Sequence, residues 1–80
     1  MEPRRKPLAA LVPGETGTLL RIDLSKVVRG RMEELGLLPG TAIQCLYRAP
    51  GGTLAAYAFG GAVFALRACA AAQIEVEAAP

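Results

Sequence analysis

The eighty-residue chain has no histidine and no tryptophan, only two phenylalanines and two tyrosines, and a single pair of cysteines. Without histidine it lacks the commonest general base and metal ligand at neutral pH. Cys45 and Cys69 have no motif spacing and supply too few soft ligands for a tight iron or zinc site, so neither a metal site nor a cofactor is expected. A lone pair of cysteines is also no secreted disulfide framework, and both are read as free thiols of a reducing compartment. No apolar run approaches the roughly 20 residues that cross a bilayer, and no apolar segment opens the chain as a signal peptide would. The expectation is a cytoplasmic protein that does not insert into membranes.

The acids are as uninformative for catalysis as the thiols. Glu33 and Glu34 are neighbours on a predicted helix and point about 100° apart, so they cannot converge as an acid/base pair. Glu75 and Glu77 share one face of a predicted strand and read as a solvated rim. Glycines number nine, but Pro50-Gly51-Gly52 and Gly60-Gly61 lack the lysine and following helix of a phosphate cradle and read as turn formers. No enzymatic activity is expected. The net charge of +2 comes mainly from Arg4, Arg5 and Lys6, beside Pro3 and Pro7, and residues 1–7 read as a frayed basic tail. The remaining bases are interleaved with acids, so nucleic-acid binding is not expected, although a small barrel stacking bases on Tyr47 or Tyr57 is the competing class.

A chain this short has one core to share, and fifteen of its residues are alanine, so large side chains are scarce. Val12-Pro13-Gly14-Glu15 and Leu38-Pro39-Gly40-Thr41 both have the chemistry of a type II turn. After the first, residues 17–23 form a strand, with alternation placing Thr18, Leu20 and Ile22 on one face. Ser25 then caps a helix over residues 26–35, whose Val28, Met32 and Leu35 gather on one side, with Met32 and Leu35 read as core. Gly36 is placed as its left-handed terminus, with Leu37 folding back on Met32.

After the second turn, residues 41–48 form a strand in which Ile43, Cys45 and Tyr47 alternate with Ala42, Gln44 and Leu46. Residues 54–59 and 62–67 form a hairpin across Gly60-Gly61, residues 68–72 make one helical turn, and residues 73–77 form the last strand. The fold class is therefore mainly β: a small SH3-like antiparallel barrel of about five strands with one short helix between the first two. The barrel domain spans residues 8–77, and residues 78–80 are a tail.

The run Arg29-Gly-Arg-Met-Glu-Glu-Leu-Gly-Leu-Leu-Pro-Gly-Thr41 resembles the most recognisable stretch of the FeoA family, as do Leu11-Val12-Pro13-Gly14-Glu15 and, downstream, Leu66-Arg67 and Ile74-Glu75-Val76. The resemblance marks Met32, Leu35, Gly36, Pro39 and Gly40 as structural motif residues. It implies an SH3-like fold and association with the cytoplasmic region of FeoB, the GTP-hydrolysing ferrous-iron permease, in a regulatory or assembly role. The same domain resembles the C-terminal module of DtxR-type metal-dependent repressors, whose helix-turn-helix domain a chain of this length beginning at Met1 is not expected to hold. Where relatives carry charged residues after position 67, this chain has Ala68, Cys69 and Ala70.

The hairpin is apolar on both faces, where a half-buried strand should alternate with polar residues. With Phe64 and Leu66 inward, Val63 and Ala65 face out, joined by either Ala55, Tyr57 and Phe59 or Leu54, Ala56 and Ala58. Arg29, Arg31, Tyr57, Val63 and Ala65 are accordingly the expected partner contacts, for the permease's cytoplasmic region or, weakly, a second copy. The alternative is that the helix covers this face within the monomer.

Overall fold

In the computed structural model, which describes residues 4–78, six antiparallel strands and one substantial helix are arranged in the chain order β1 (Arg4–Pro7), β2 (Thr16–Ile22), α1 (Lys26–Glu34), β3 (Ala42–Arg48), β4 (Leu54–Phe59), β5 (Ala62–Arg67), a single turn α2 (Ala68–Ala71) and β6 (Ile74–Ala78). The sheet runs β1-β6-β2-β3-β4-β5 and does not close, leaving β1 and β5 as edges. It is the curled, SH3-like arrangement expected from the sequence, with one strand more than expected.

The extra strand lies where a tail was expected. Arg4 to Pro7 pair with Ala78 to Glu75, so β6 lies between β1 and β2 and Ala78 is buried. Positions 1–3 and 79–80 of the expected tails lie outside the described residues. A basic run with a proline reads as solvated chain, but an edge strand tolerates both, because one row of its backbone groups faces water. Lys6 fixes the strand: its Nζ donates to both carboxylate oxygens of Glu15, at 2.9 and 2.8 Å. Glu15 also accepts the Val12 N–H at 3.0 Å, closing the first Pro-Gly turn.

Two bulges correct the predicted strand faces. In β2 the register shifts between Leu19 and Arg21, so Gly17, Leu19 and Ile22 face the core, and not Thr18. In β3 the shift falls between Cys45 and Tyr47; Ile43 and Cys45 are buried, whereas Tyr47 turns out to 61 % exposure. A bulge adds one residue and so inverts the alternation beyond it. Gly17 lies close against β6: a Cβ there would lie 3.2 Å from Val76 Cβ and Cγ2, so Val76 would have to give by a few tenths of an ångström.

The core is Leu8, Leu11, Leu19, Leu37, Ile43, Cys45, Tyr57, Ile74 and Val76, all essentially inaccessible, each large aliphatic worth about 1.5–3 kcal/mol on burial. Leu8 and Leu11 come from the 3₁₀ turn Leu8–Ala10 and its exit, where Arg48 Nη2 donates to the carbonyls of Ala9 and Leu11 at 2.8 and 2.6 Å. Both thiols are free, Cys45 buried and Cys69 exposed.

The Lys6 ammonium, followed by the Val12 N–H, holds the Glu15 carboxyl below its ordinary range. A lowered folded-state pKa stabilises above the unfolded value and is lost as pH falls through the folded one. Lys6→Ala should therefore return the Glu15 titration, followed by NMR, towards ordinary glutamate. It should also lower stability at pH 7 by an amount that disappears under acid conditions where Glu15 is protonated. A Glu15 titration unmoved by the substitution would mean that the ion pair does not form in solution.

Candidate functional site

Helix α1 begins as read, with the Ser25 Oγ accepting the Val28 N–H at 3.4 Å. It ends in a complete Schellman motif: the Leu37 N–H donates to the Met32 carbonyl at 2.9 Å and the Gly36 N–H to that of Glu33 at 3.0 Å. Gly36, at φ +101°, reverses the chain so that Leu37 is fully buried while Leu35, on the other side of the turn, is left 54 % exposed. Leu38-Pro39-Gly40-Thr41 follows as a turn, its Thr41 N–H donating to Leu38 O at 2.9 Å, and Gly40 N–H ties it to Leu19 O at 2.8 Å.

No residue of α1 is buried. Met32 is half-buried against the core, but Leu35, expected in the core, is exposed, and Val28 is 40 % exposed. The 3.6-residue spacing correctly names the face that turns to the sheet; it cannot say how close the sheet comes. The result is an open apolar groove of about 280 Å³ between helix and sheet, walled by Val28, Met32 and Leu35, floored by Leu37, Phe59, Phe64 and Leu66, with Arg31 beside it. The Phe59 and Phe64 rings stack at 4.6 Å and 14°, a flat aromatic floor.

Of the five expected contact residues, only Arg31 reaches this groove. Arg29 lies on the other flank of the helix, in a cleft with Arg21, Ile22, Glu33 and Pro39. Tyr57 is 1 % exposed: it pairs with Phe64 across the hairpin and points into the core, where burial pushes its phenol up. Val63 and Ala65 do face outward, opposite Ala58 and Ala56, so the second of the two arrangements weighed for the hairpin is the one formed. The helix covers the Phe64 and Leu66 side and leaves the Val63 side open. The groove residues Phe59, Phe64 and Leu66 were legible only as an excess of apolar side chains on the hairpin. Among the described residues no cluster of three or more His, Cys, Asp or Glu side chains could hold a metal ion.

The geometry defines a small SH3-like domain with an open apolar groove between helix and sheet. The FeoA domain family matches residues 6–78, and the chain belongs to that family. It superposes on the FeoA protein of Chlorobium tepidum with a TM-score of 0.87 at 26 % identity, over 92 % of this chain and 70 % of that one. A Stenotrophomonas maltophilia FeoA, described as a prokaryotic SH3 domain protein and complexed with zinc, shares the fold at 24 % identity and TM-score 0.75, over 88 % and 87 % of the two chains. A manganese-dependent transcriptional repressor contains the same fold at 25 % identity and TM-score 0.82, over 99 % of this chain but 44 % of its own. No curated protein sequence matches the chain.

At Gly36 a Cβ would meet nothing within 4 Å, so the cost of adding one is backbone strain. Gly36→Val should lower stability by about 1–2 kcal/mol or more, because a β-branched residue is disfavoured at positive φ, measured by chemical denaturation. Wild-type stability in this variant would show that the Schellman turn does not hold the helix end.

Proposed function

We propose that this chain is an accessory protein of ferrous-iron uptake that docks on the cytoplasmic region of a FeoB-like permease through the groove between α1 and the β4–β5 hairpin. The observation that carries the reading is a helix without a single buried residue standing over an aromatic floor. A domain short of large side chains gains little by leaving Val28 and Leu35 in water, and an apolar patch of this kind marks a binding surface. Family membership supplies the biological context, and the description of a FeoA relative as an iron uptake regulatory protein supports it. Arg31 beside the groove favours an acidic residue next to the partner's apolar anchor.

The repressors that share the fold support a second reading, in which the domain serves as a module of a metal-responsive regulator. The two readings separate on the partner retained by the purified chain, a permease G-protein region or a DNA-binding regulator.

Leu35→Glu places a charge in the groove wall at a side chain already 54 % exposed, so the fold should survive. Calorimetry against the isolated cytoplasmic region of the cognate permease should show at least about a tenfold loss of affinity, the scale of a lost interface anchor. Val27→Glu, at 71 % exposure and outside the groove, should bind as wild type. Equal binding by wild type and Leu35→Glu would move the contact elsewhere.

A further inference from the structure

The two edges of the sheet are not alike. The β1 edge carries Arg4, Arg5, Lys6 and Pro7, the charges and proline that keep an edge from pairing with another chain. The β5 edge carries Ala62, Val63, Phe64, Ala65 and Leu66, with no charge until Arg67, no proline, and no bulge in its pairing with β4. Among the described residues nothing pairs with its free side.

The register shows which backbone groups are free. The two-residue loop Gly60-Gly61 makes Phe59 and Ala62 the pair that closes the hairpin, a pair that exchanges both hydrogen bonds in such loops. Ala62, Phe64 and Leu66 therefore bond to β4, and the Ala68 N–H continues the series to Thr53 O at 2.9 Å. The N–H and C=O groups of Val63, Ala65 and Arg67 are left pointing at the open edge. Their side chains lie on the outer face, where Val63, opposite Ala58, is 62 % exposed and Leu54, opposite Arg67, is 40 % exposed.

We propose that β5 is a self-association edge, on which a second copy of this chain adds its own β5 antiparallel about a two-fold axis through Ala65. In that register the two Ala65 residues exchange hydrogen bonds at the axis, where their small side chains meet. Val63 stands opposite Arg67 of the second copy, whose aliphatic stem lies along it, and Phe64 stands opposite Leu66 of the second copy on the inner face. Every outward backbone group is satisfied, the inner face matches apolar to apolar, and no like charges oppose. The contact is isologous, so it closes at a dimer, and the charged β1 edge cannot extend it. A strand of this length with small side chains covers well under the about 800 Å² per partner of a stable interface, so the dimer is weak and concentration-dependent.

Sedimentation of the full chain from about 10 µM to 1 mM, the range suited to such a small interface, should show the mass rising from 8.3 kDa towards twice that value. Val63→Lys sets a cation opposite Arg67 twice per dimer and should weaken association about tenfold or more, whereas Val63→Glu sets an anion there and should keep or tighten it. At its exposed position neither change should alter the amide spectrum of the monomer. A monomer at every concentration would overturn the proposal and leave the edge to a foreign strand or to none. Association unmoved by Val63→Lys, or weakened equally by both substitutions, would overturn it as well.

Discussion

Everything in this fold depends on the strand Ile74–Ala78, the last in the chain and an interior one in the sheet. It pairs with β1 on one side and β2 on the other, and Ile74, Val76 and Ala78 are all buried. Val76 packs within 3.2 Å of where a Cβ at Gly17 would lie, and the Lys6–Glu15 ion pair fastens β1 over the same region. These contacts join the two ends of the chain, so the domain forms only when its most distant parts meet, a non-local topology that folds slowly relative to helical domains of the same size.

A second consequence concerns the helix. The sheet and the 3₁₀ turn fill the core with their own leucines, isoleucines and Val76, and Leu37 is what the helical crossover adds to the fully buried set. Helix α1 is thus held at its ends, by the Ser25 cap and the Schellman turn, more than along its length. With Gly30 in its interior and no buried face, it gains little from propensity or packing. Stability is carried by β6 and its neighbours, and the helix with the exposed flank of the hairpin adds little to it.

Much of this was legible in the sequence because local chemistry decides it. Ser25, Gly36 and Gly60-Gly61 mark helix start, helix end and hairpin, and each has the geometry its residues demand. The alternating run at the C-terminus reads correctly because nothing interrupts its period. Tyr47 and Leu20 do not, since a bulge is set by the neighbouring strand and has no signature of its own here. The strand Arg4–Pro7 escaped for a similar reason, as its charged residues are stable only once Glu15 and β6 come to meet them. The groove was half visible: apolar residues on both faces of the hairpin announced an unsatisfied surface, while its location under α1 depends on how far the helix stands from the sheet. Tyr57 and Arg29 were misplaced for different reasons: the hairpin register sets Tyr57 opposite the inward Phe64, and Arg29 lies on the far flank of the helix.

That the sheet holds the fold while α1 is only loosely seated on it is tested most directly by native-state amide hydrogen exchange. The account predicts that amides of Lys26–Glu34 exchange through local opening, with protection at least about a hundredfold below that of Ile74–Ala78, whose amides should exchange only through global unfolding. Equal protection of helix and strand would contradict it, because it would make α1 part of the same cooperative core.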